Sequence, residues 1–85
     1  MKYDITGRHL EITPAIRAHV ETQLDRAEGA FDGKPATAHV VIEVERGRHR
    51  SEIVISWHSE VLKAETIDAD MYNSISMTVD KIEKQ

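Results

Sequence analysis

Three arginines and a histidine fall within five residues at Arg46-Gly47-Arg48-His49-Arg50, the densest run of anion-holding side chains in this 85-residue chain. Arginine presents a planar fork of donors that takes phosphate oxygens in pairs. Guanidinium groups crowded on one turn repel one another until an anion arrives, so the run points to phosphate recognition. The competing explanation is a solvated hairpin tip, balanced by Glu43, Glu45 and Glu52 across the ladder. Further cations sit on two helical stretches, Arg17 and Arg26 early and Lys81 and Lys84 late. They extend the phosphate contacts along a helical face, or they are solubility charge. Asp80–Lys84 and Glu21–Arg26 lie near the spacings of helix-surface pairs. Tyr72 either stacks on a base or packs its ring at the sheet edge with its hydroxyl in water.

Other chemistries find little support. His9, His19, His39, His49 and His58 are scattered, with no H-x-x-x-H or H-E-x-x-H spacing and no cysteine beside them, so no metal site is expected. Ser51, Ser56 and Ser59 lack the G-x-S-x-G elbow of a nucleophile, and nothing selects a pair of carboxylates. The expectation is a protein that is not an enzyme, uses no cofactor and has no small-molecule substrate.

The chain carries 11 basic and 15 acidic residues, a formal net charge of -4. That weighs against a free nucleic-acid binder, which is usually basic. Contacts, however, depend on the local patch more than on the total. The absence of cysteine fits a reducing cytoplasm. No apolar run approaches the roughly 18 residues of a membrane span. The opening Met1-Lys2-Tyr3-Asp4-Ile5 goes straight into a strand pattern, without the apolar core of a signal peptide. One domain is expected, burying about 60–65% of the surface that the unfolded chain exposes.

The cations need a scaffold, and the apolar spacing supplies one. Residues 2–7 read as a strand that Gly7 ends. Thr13 is a good N-cap and Pro14 suits the first helical position. Ile16, Val20, Leu24, Ala27 and Phe31 then form a helical stripe, with Gly29 or Gly33 as its stop and Asp32-Gly33-Lys34-Pro35 as a turn. Residues 36–46 alternate, with Ala38, Val40, Ile42 and Val44 on one face. Arg46-Gly47-Arg48 makes the hairpin tip. Residues 50–58 and 61–67 are two more strands, with Ile53, Ile55 and Trp57, then Leu62, Ala64 and Thr66, on the apolar side. Met71, Ile75, Val79 and Ile82 mark a last helix beginning near Asp68 to Asp70, Asp70 being a natural cap. It meets no stop signal before Gln85, and the expectation is a helix cut short there or an unusually short chain. The order β-α-β-β-β-α gives an α+β two-layer sandwich, a four-stranded mixed sheet with two helices on one face. The first two strands are parallel and the rest antiparallel.

With the elements in place, an ordered set of short motifs resembles the bacterial ribosome hibernation factors. The set is Ile5-Thr6-Gly7, Glu11-Ile12-Thr13, Ile16-Arg17, Val20, Glu28 and Phe31-Asp32, then Val44-Glu45-Arg46 with His49, then Asp70-Met71-Tyr72 with Ile75 and Asp80-Lys81. The resemblance covers essentially the whole chain, residues 1–85, as one ribosome-binding domain. It implies a fold similar to double-stranded-RNA-binding domains. It also implies a cytoplasmic translation inhibitor of stressed or stationary-phase bacteria, which binds the small ribosomal subunit in the channel of messenger and transfer RNA and stabilises idle ribosomes. The partners implied are that subunit and its rRNA, with no membrane; self-association through a sheet edge is a further expectation. The RNA-binding residues expected are Arg46, Arg48, His49, Arg50, Arg17, Arg26, Lys81 and Lys84. The chain departs from the family where its last helix offers only Lys81 and Lys84 among Asp80 and Glu83, and where Gln23 stands at a position that is often lysine. One domain alone is expected to block ribosomes without pairing them. The alternative is a protein-interaction module acting on an alternative sigma factor or another regulatory partner.

Overall fold

The computed structural model describes residues 2–29, 36–57 and 60–85. Phe31 and the turn at 32–35 lie outside the described residues, as do His58 and Ser59. The chain runs β1 (Lys2–Arg8), α1 (Pro14–Glu28), β2 (Ala36–Glu45), β3 (Arg48–Trp57), β4 (Glu60–Asp68) and α2 (Met71–Glu83). The expected α+β two-layer sandwich is thus the observed one. The strands lie in the order β1-β2-β3-β4, β1 parallel to β2 and the other pairs antiparallel.

Strict alternation of side chains explains the layering. Ala36, Ala38, Val40 and Ile42 of β2, Ile53 and Ile55 of β3 and Ala64 of β4 are buried beneath the helices. From above, Ile16, Val20, Leu24 and Ala27 of α1 and Ile75, Val79 and Ile82 of α2 meet them. Trp57 packs at the margin of this core rather than inside it. α2 lies over β3 and β4 and against α1. The two helices run parallel, since His19 meets Tyr72 near their starts and Arg26 meets Asp80 near their ends. No helix among the described residues is long and apolar enough to cross a membrane.

Both helix starts are capped as their sequences demand. Thr13 Oγ1 accepts the Ile16 N–H at 3.2 Å, and Pro14 occupies the first helical position. Asp70 accepts from the N–H groups of Tyr72 and Asn73. Asp68 in turn accepts the Asp70 N–H at 2.9 Å and the Asn73 amide at 3.2 Å. α1 ends at Gly29, whose φ of -57° is right-handed, so the cap there draws on no special glycine conformation.

Gly7 does not end β1, which continues to Arg8. Its role is close approach. A β-carbon at Gly7 would lie 2.5 Å from the Leu10 carbonyl oxygen and 3.1 Å from the Ile12 side chain. The chain folds back there, with His9 at φ 63° making the bend, before α1 can begin.

The close approach at Gly7 and the cap at Asp68 are both open to measurement. Gly7→Ala forces backbone apart and lowers stability by about 1–3 kcal/mol, measured by urea unfolding. The cap responds to acid. The Asp70 N–H, then the Asn73 amide, hold the Asp68 carboxyl below its ordinary value of 3.8. A carboxyl depressed in the folded state stabilises above its unfolded value, and that contribution fades as pH falls through the lower folded one. Asp68→Asn therefore flattens the loss of melting temperature below about pH 4 and leaves the slope above it unchanged.

Candidate nucleic-acid interface

The β2–β3 turn is two residues long, Arg46 and Gly47, and φ is positive at both, 51° and 77°. Such mirror-image turns match the twist of the flanking strands and favour Asn-Gly. An arginine in that conformation costs about 1–2 kcal/mol. Arg46 and Arg48 are exposed, and neither has an ion-pair partner among the described residues. Strand geometry thus offers two guanidinium groups to solvent at one tip. Below them opens a cleft of about 490 Å³, lined by Glu43, Glu45, Arg46, Arg48, Arg50 and Ile67.

The other two hairpin residues are held by partners within the fold. Arg50 is half-buried on the helix-free face of the sheet and bonds Glu65 at 2.9 Å and Glu43 at 3.3 Å, with Glu52 at 3.6 Å. Burial pulls its guanidinium down, but the bonds to Glu65 and Glu43 outweigh that and hold it above its ordinary value. Three arginines therefore do not crowd the tip. Arg50 shares a face of β3 with Arg48 but lies two residues further along, where β2 and β4 both pair with β3 and their carboxylates surround it. His49 Nδ1–H donates to the Ala69 carbonyl at 3.1 Å and fastens the β4–α2 turn.

The helical cations do not form one face either. Arg17 and Arg26 are nine residues apart, which at 3.6 residues per turn places them on opposite sides of α1. Arg26 faces α2 and pairs with Asp80 at 3.2 Å and Glu83 at 3.6 Å, in place of the Glu21 and Lys84 pairs that sequence spacing offered. Lys81 donates to the Glu65 carbonyl at 2.9 Å on the edge of β4. Lys84 caps the end of α2 and is exposed. Because β1, β2 and β4 are parallel to one another, their C-terminal ends and both helix starts share one end of the molecule with the hairpin. Arg26, Lys81 and Lys84 lie toward the other end of a fold 37 Å long.

Two residues acquire roles that spacing did not show. Arg8 ends β1, is exposed, and pairs in register with Glu43 near the hairpin. Only the parallel β1–β2 register brings it there. Tyr72 sits at the seam between helices, not at the sheet edge. Its ring meets His19 edge-on at 4.9 Å, while His19 Nε2–H donates to the Tyr72 carbonyl at 3.2 Å, with Ser76 Oγ equally near. Among the described residues no group of three or more His, Cys, Asp or Glu is placed to hold a metal ion.

The cage makes Arg50 structural, and its removal distinguishes it from the tip. Arg50→Gln leaves Glu43, Glu52 and Glu65 without their shared cation and is expected to lower stability by about 1–3 kcal/mol. Arg48→Gln leaves stability within about 0.5 kcal/mol. Thermal unfolding of the two variants side by side checks this.

Residues 3–85 match the family model described as Sigma 54 modulation protein / S30EA ribosomal protein. A ribosome hibernation promotion factor of Lactococcus lactis is 36% identical over 87 aligned residues, covering 100% of this chain and 47% of that protein. The chain thus spans about half the length of that relative. A ribosome hibernation promoting factor of Escherichia coli K12 is 32% identical, covering 100% of this chain and 88% of that protein. Among solved structures, the N-terminal domain of Thermus thermophilus Protein Y superposes with a TM-score of 0.94 at 35% identity, covering 100% of this chain and 94% of that domain. The match in sequence and the match in strand and helix order coincide over the same residues, and the chain belongs to the Sigma 54 modulation protein / S30EA ribosomal protein family.

Proposed function

We propose that this chain is a ribosome-binding hibernation domain, acting in the cytoplasm by occupying the messenger and transfer RNA channel of the small subunit. It acts by bulk and not by catalysis. The observation that carries the proposal is the similarity, over the whole of this chain, to proteins named as ribosome hibernation factors, joined to a hairpin tip whose two exposed arginines have no ion-pair partner among the described residues. rRNA phosphates supply an anion for them. Arg46 and Arg48 make the first contacts, with Arg8 and Arg17 as flanking cations at the same end of the fold. His49 and Arg50 hold the tip in place. Arg26, Lys81 and Lys84 contribute less, because Arg26 is already neutralised by Asp80 and Glu83 and Lys81 is bonded to a backbone carbonyl.

Cosedimentation with purified small subunits at low and high salt tests this. The native chain is expected in the pellet at low salt and depleted at high salt, because phosphate contacts release counterions. Arg46→Glu with Arg48→Glu is expected to weaken binding about 30-fold or more, at about 1 kcal/mol for each phosphate-binding arginine removed, with an unchanged circular-dichroism spectrum. Arg46→Asn separates shape from charge. It suits the positive φ, so it raises stability by about 0.5–1 kcal/mol while it weakens binding. A native chain that stays in the supernatant at both salts removes the ribosomal reading and leaves the protein-interaction module.

A further inference from the structure

β4 is an outer strand of the sheet, and an exposed strand edge is a template for another strand. Among the described residues, three of the four exposed large apolar side chains border it. Val61 is 66% exposed, Ile67 54% and Met77 of α2 39%. The edge is not bare. Lys81 Nζ donates to the Glu65 carbonyl and Gln85 Nε2 to the Lys63 carbonyl, each at 2.9 Å. These bonds show that the backbones of Lys63 and Glu65 point outward, and strand alternation makes Val61 and Ile67 do the same.

The outward residues complement themselves. A two-fold axis through Ala64, with two β4 strands antiparallel, sets Val61 opposite Ile67 of the second copy and Lys63 opposite Glu65 of the second copy, each twice. The four outward residues then form hydrogen-bonded pairs, with an apolar contact and an opposite-charge contact on the helix-free face. Shifting the register by two residues in either direction would set Lys63 against Lys63 or Glu65 against Glu65. Each charge already has a partner within the chain, Lys63 with Glu52 and Glu65 with Arg50, yet 64% and 44% of these side chains remain exposed. Glu60 and Asp68 would face one another at the ends and limit the ladder to residues 61–67. The helices fit as well. α2 lies over β3 and β4, so a strand spacing of about 4.8 Å brings the two α2 helices to about 10 Å, a packing distance, with Met77 on the facing flank.

We propose that β4 is a docking edge for a second copy of this chain, forming one continuous eight-stranded sheet, and that Lys81 and Gln85 are the latch that holds the edge closed. Opening it exchanges two side-chain bonds per copy for backbone ladder bonds. The proposal does not depend on RNA binding and is tested without ribosomes.

Sedimentation velocity of the full chain from micromolar to millimolar concentration reads the result. Lys81→Ala with Gln85→Ala is expected to dimerise at about tenfold lower concentration than the native chain. Adding Ile67→Lys to that variant returns it to monomer. Adding Val61→Glu as well restores the dimer, because the facing positions then carry opposite charges. In the native chain, the amide protons of Lys63 and Glu65 gain protection from exchange as concentration rises. A latch variant that stays monomeric throughout, a dimer indifferent to Ile67→Lys, or exchange at Lys63 and Glu65 that ignores concentration each overturns the proposal.

Discussion

The register between β2 and β3 governs nearly everything else in this fold, and a two-residue turn sets it. With Arg46 and Gly47 as the turn, Glu45 must face Arg48 and Glu43 must face Arg50. The same count places Val40 opposite Ile53 and Ala38 opposite Ile55 on the inner face. A slip of one residue on β3 would drive Arg50 and Glu52 into the core and send Ile53 and Ile55 to water. The conformational cost of an arginine at positive φ is therefore borne at the point where it fixes the pairing of two ten-residue strands. The tip that exposes Arg46 and Arg48 is also the tip that holds the sheet in register.

One-sided burial then dictates where charge can go. Both helices cover the same face, so every charged residue of the strand interiors falls on the other. Arg50 stands between Glu43 on β2 and Glu65 on β4 and spans three strands with one side chain. Lys63 reaches Glu52 on the same face at 3.6 Å, and His39 meets Asp4 at 3.3 Å. Beneath α2 the buried polar groups are few, and Thr66 Oγ1 of β4 is the one left without a hydrogen-bond partner among the described residues. Ser51 and Ser74 are fully buried and 2.7 Å apart. Ser74 donates to the Met71 carbonyl, so Ser51 is the donor between them. Thr78 donates to the Ser74 carbonyl at 2.7 Å. This small hydroxyl seam lets α2 sit close to β3, where larger apolar side chains would lift it away.

Element order, strand faces, both helix caps and the parallel first pair are legible in the sequence because each rests on local periodicity or on capping chemistry. Phe31 lies outside the described residues, but the remainder of the α1 stripe is buried as its spacing requires. The fate of individual cations is not legible in the same way. Arg46, Arg48 and Arg50 look alike in sequence. Arg48 and Arg50 share one face of β3, but only Arg50 lies where β2 and β4 both flank it, so it is structural, while Arg46 and Arg48 have no ion-pair partner among the described residues. Arg26 looks like a partner for Glu21, and only the parallel packing of α1 on α2 delivers Asp80 and Glu83 to it. Arg8 gives no sign of its place, because its neighbours at the tip are some 35 residues away and arrive through a crossover. Gly7 reads as a terminator and is not one, for a similar reason. Its lack of a β-carbon serves a contact with the Leu10 carbonyl, which composition does not reveal.

The excess of acid in the chain is less of an obstacle to RNA than it first looks. At physiological ionic strength a charge is felt over about 8 Å, and the molecule is 37 Å long. Asp80 and Glu83, at the far helix ends, hardly weigh on a phosphate that approaches the hairpin. The acids that do lie near the tip are partly neutralised, since Glu43 is bonded to Arg50. Glu45 remains and faces Arg48 in register, while Asp68 and Asp70 stand at the same end with their carboxylates engaged by the N–H and amide donors of the α2 cap. An exposed pair such as Glu45 and Arg48 is worth at most about 1 kcal/mol, a weak hold on Arg48 beside the bidentate donation that a guanidinium can make to a phosphate. The placement of these few groups, and not the net charge of -4, sets the sign of the potential that an incoming polyanion meets.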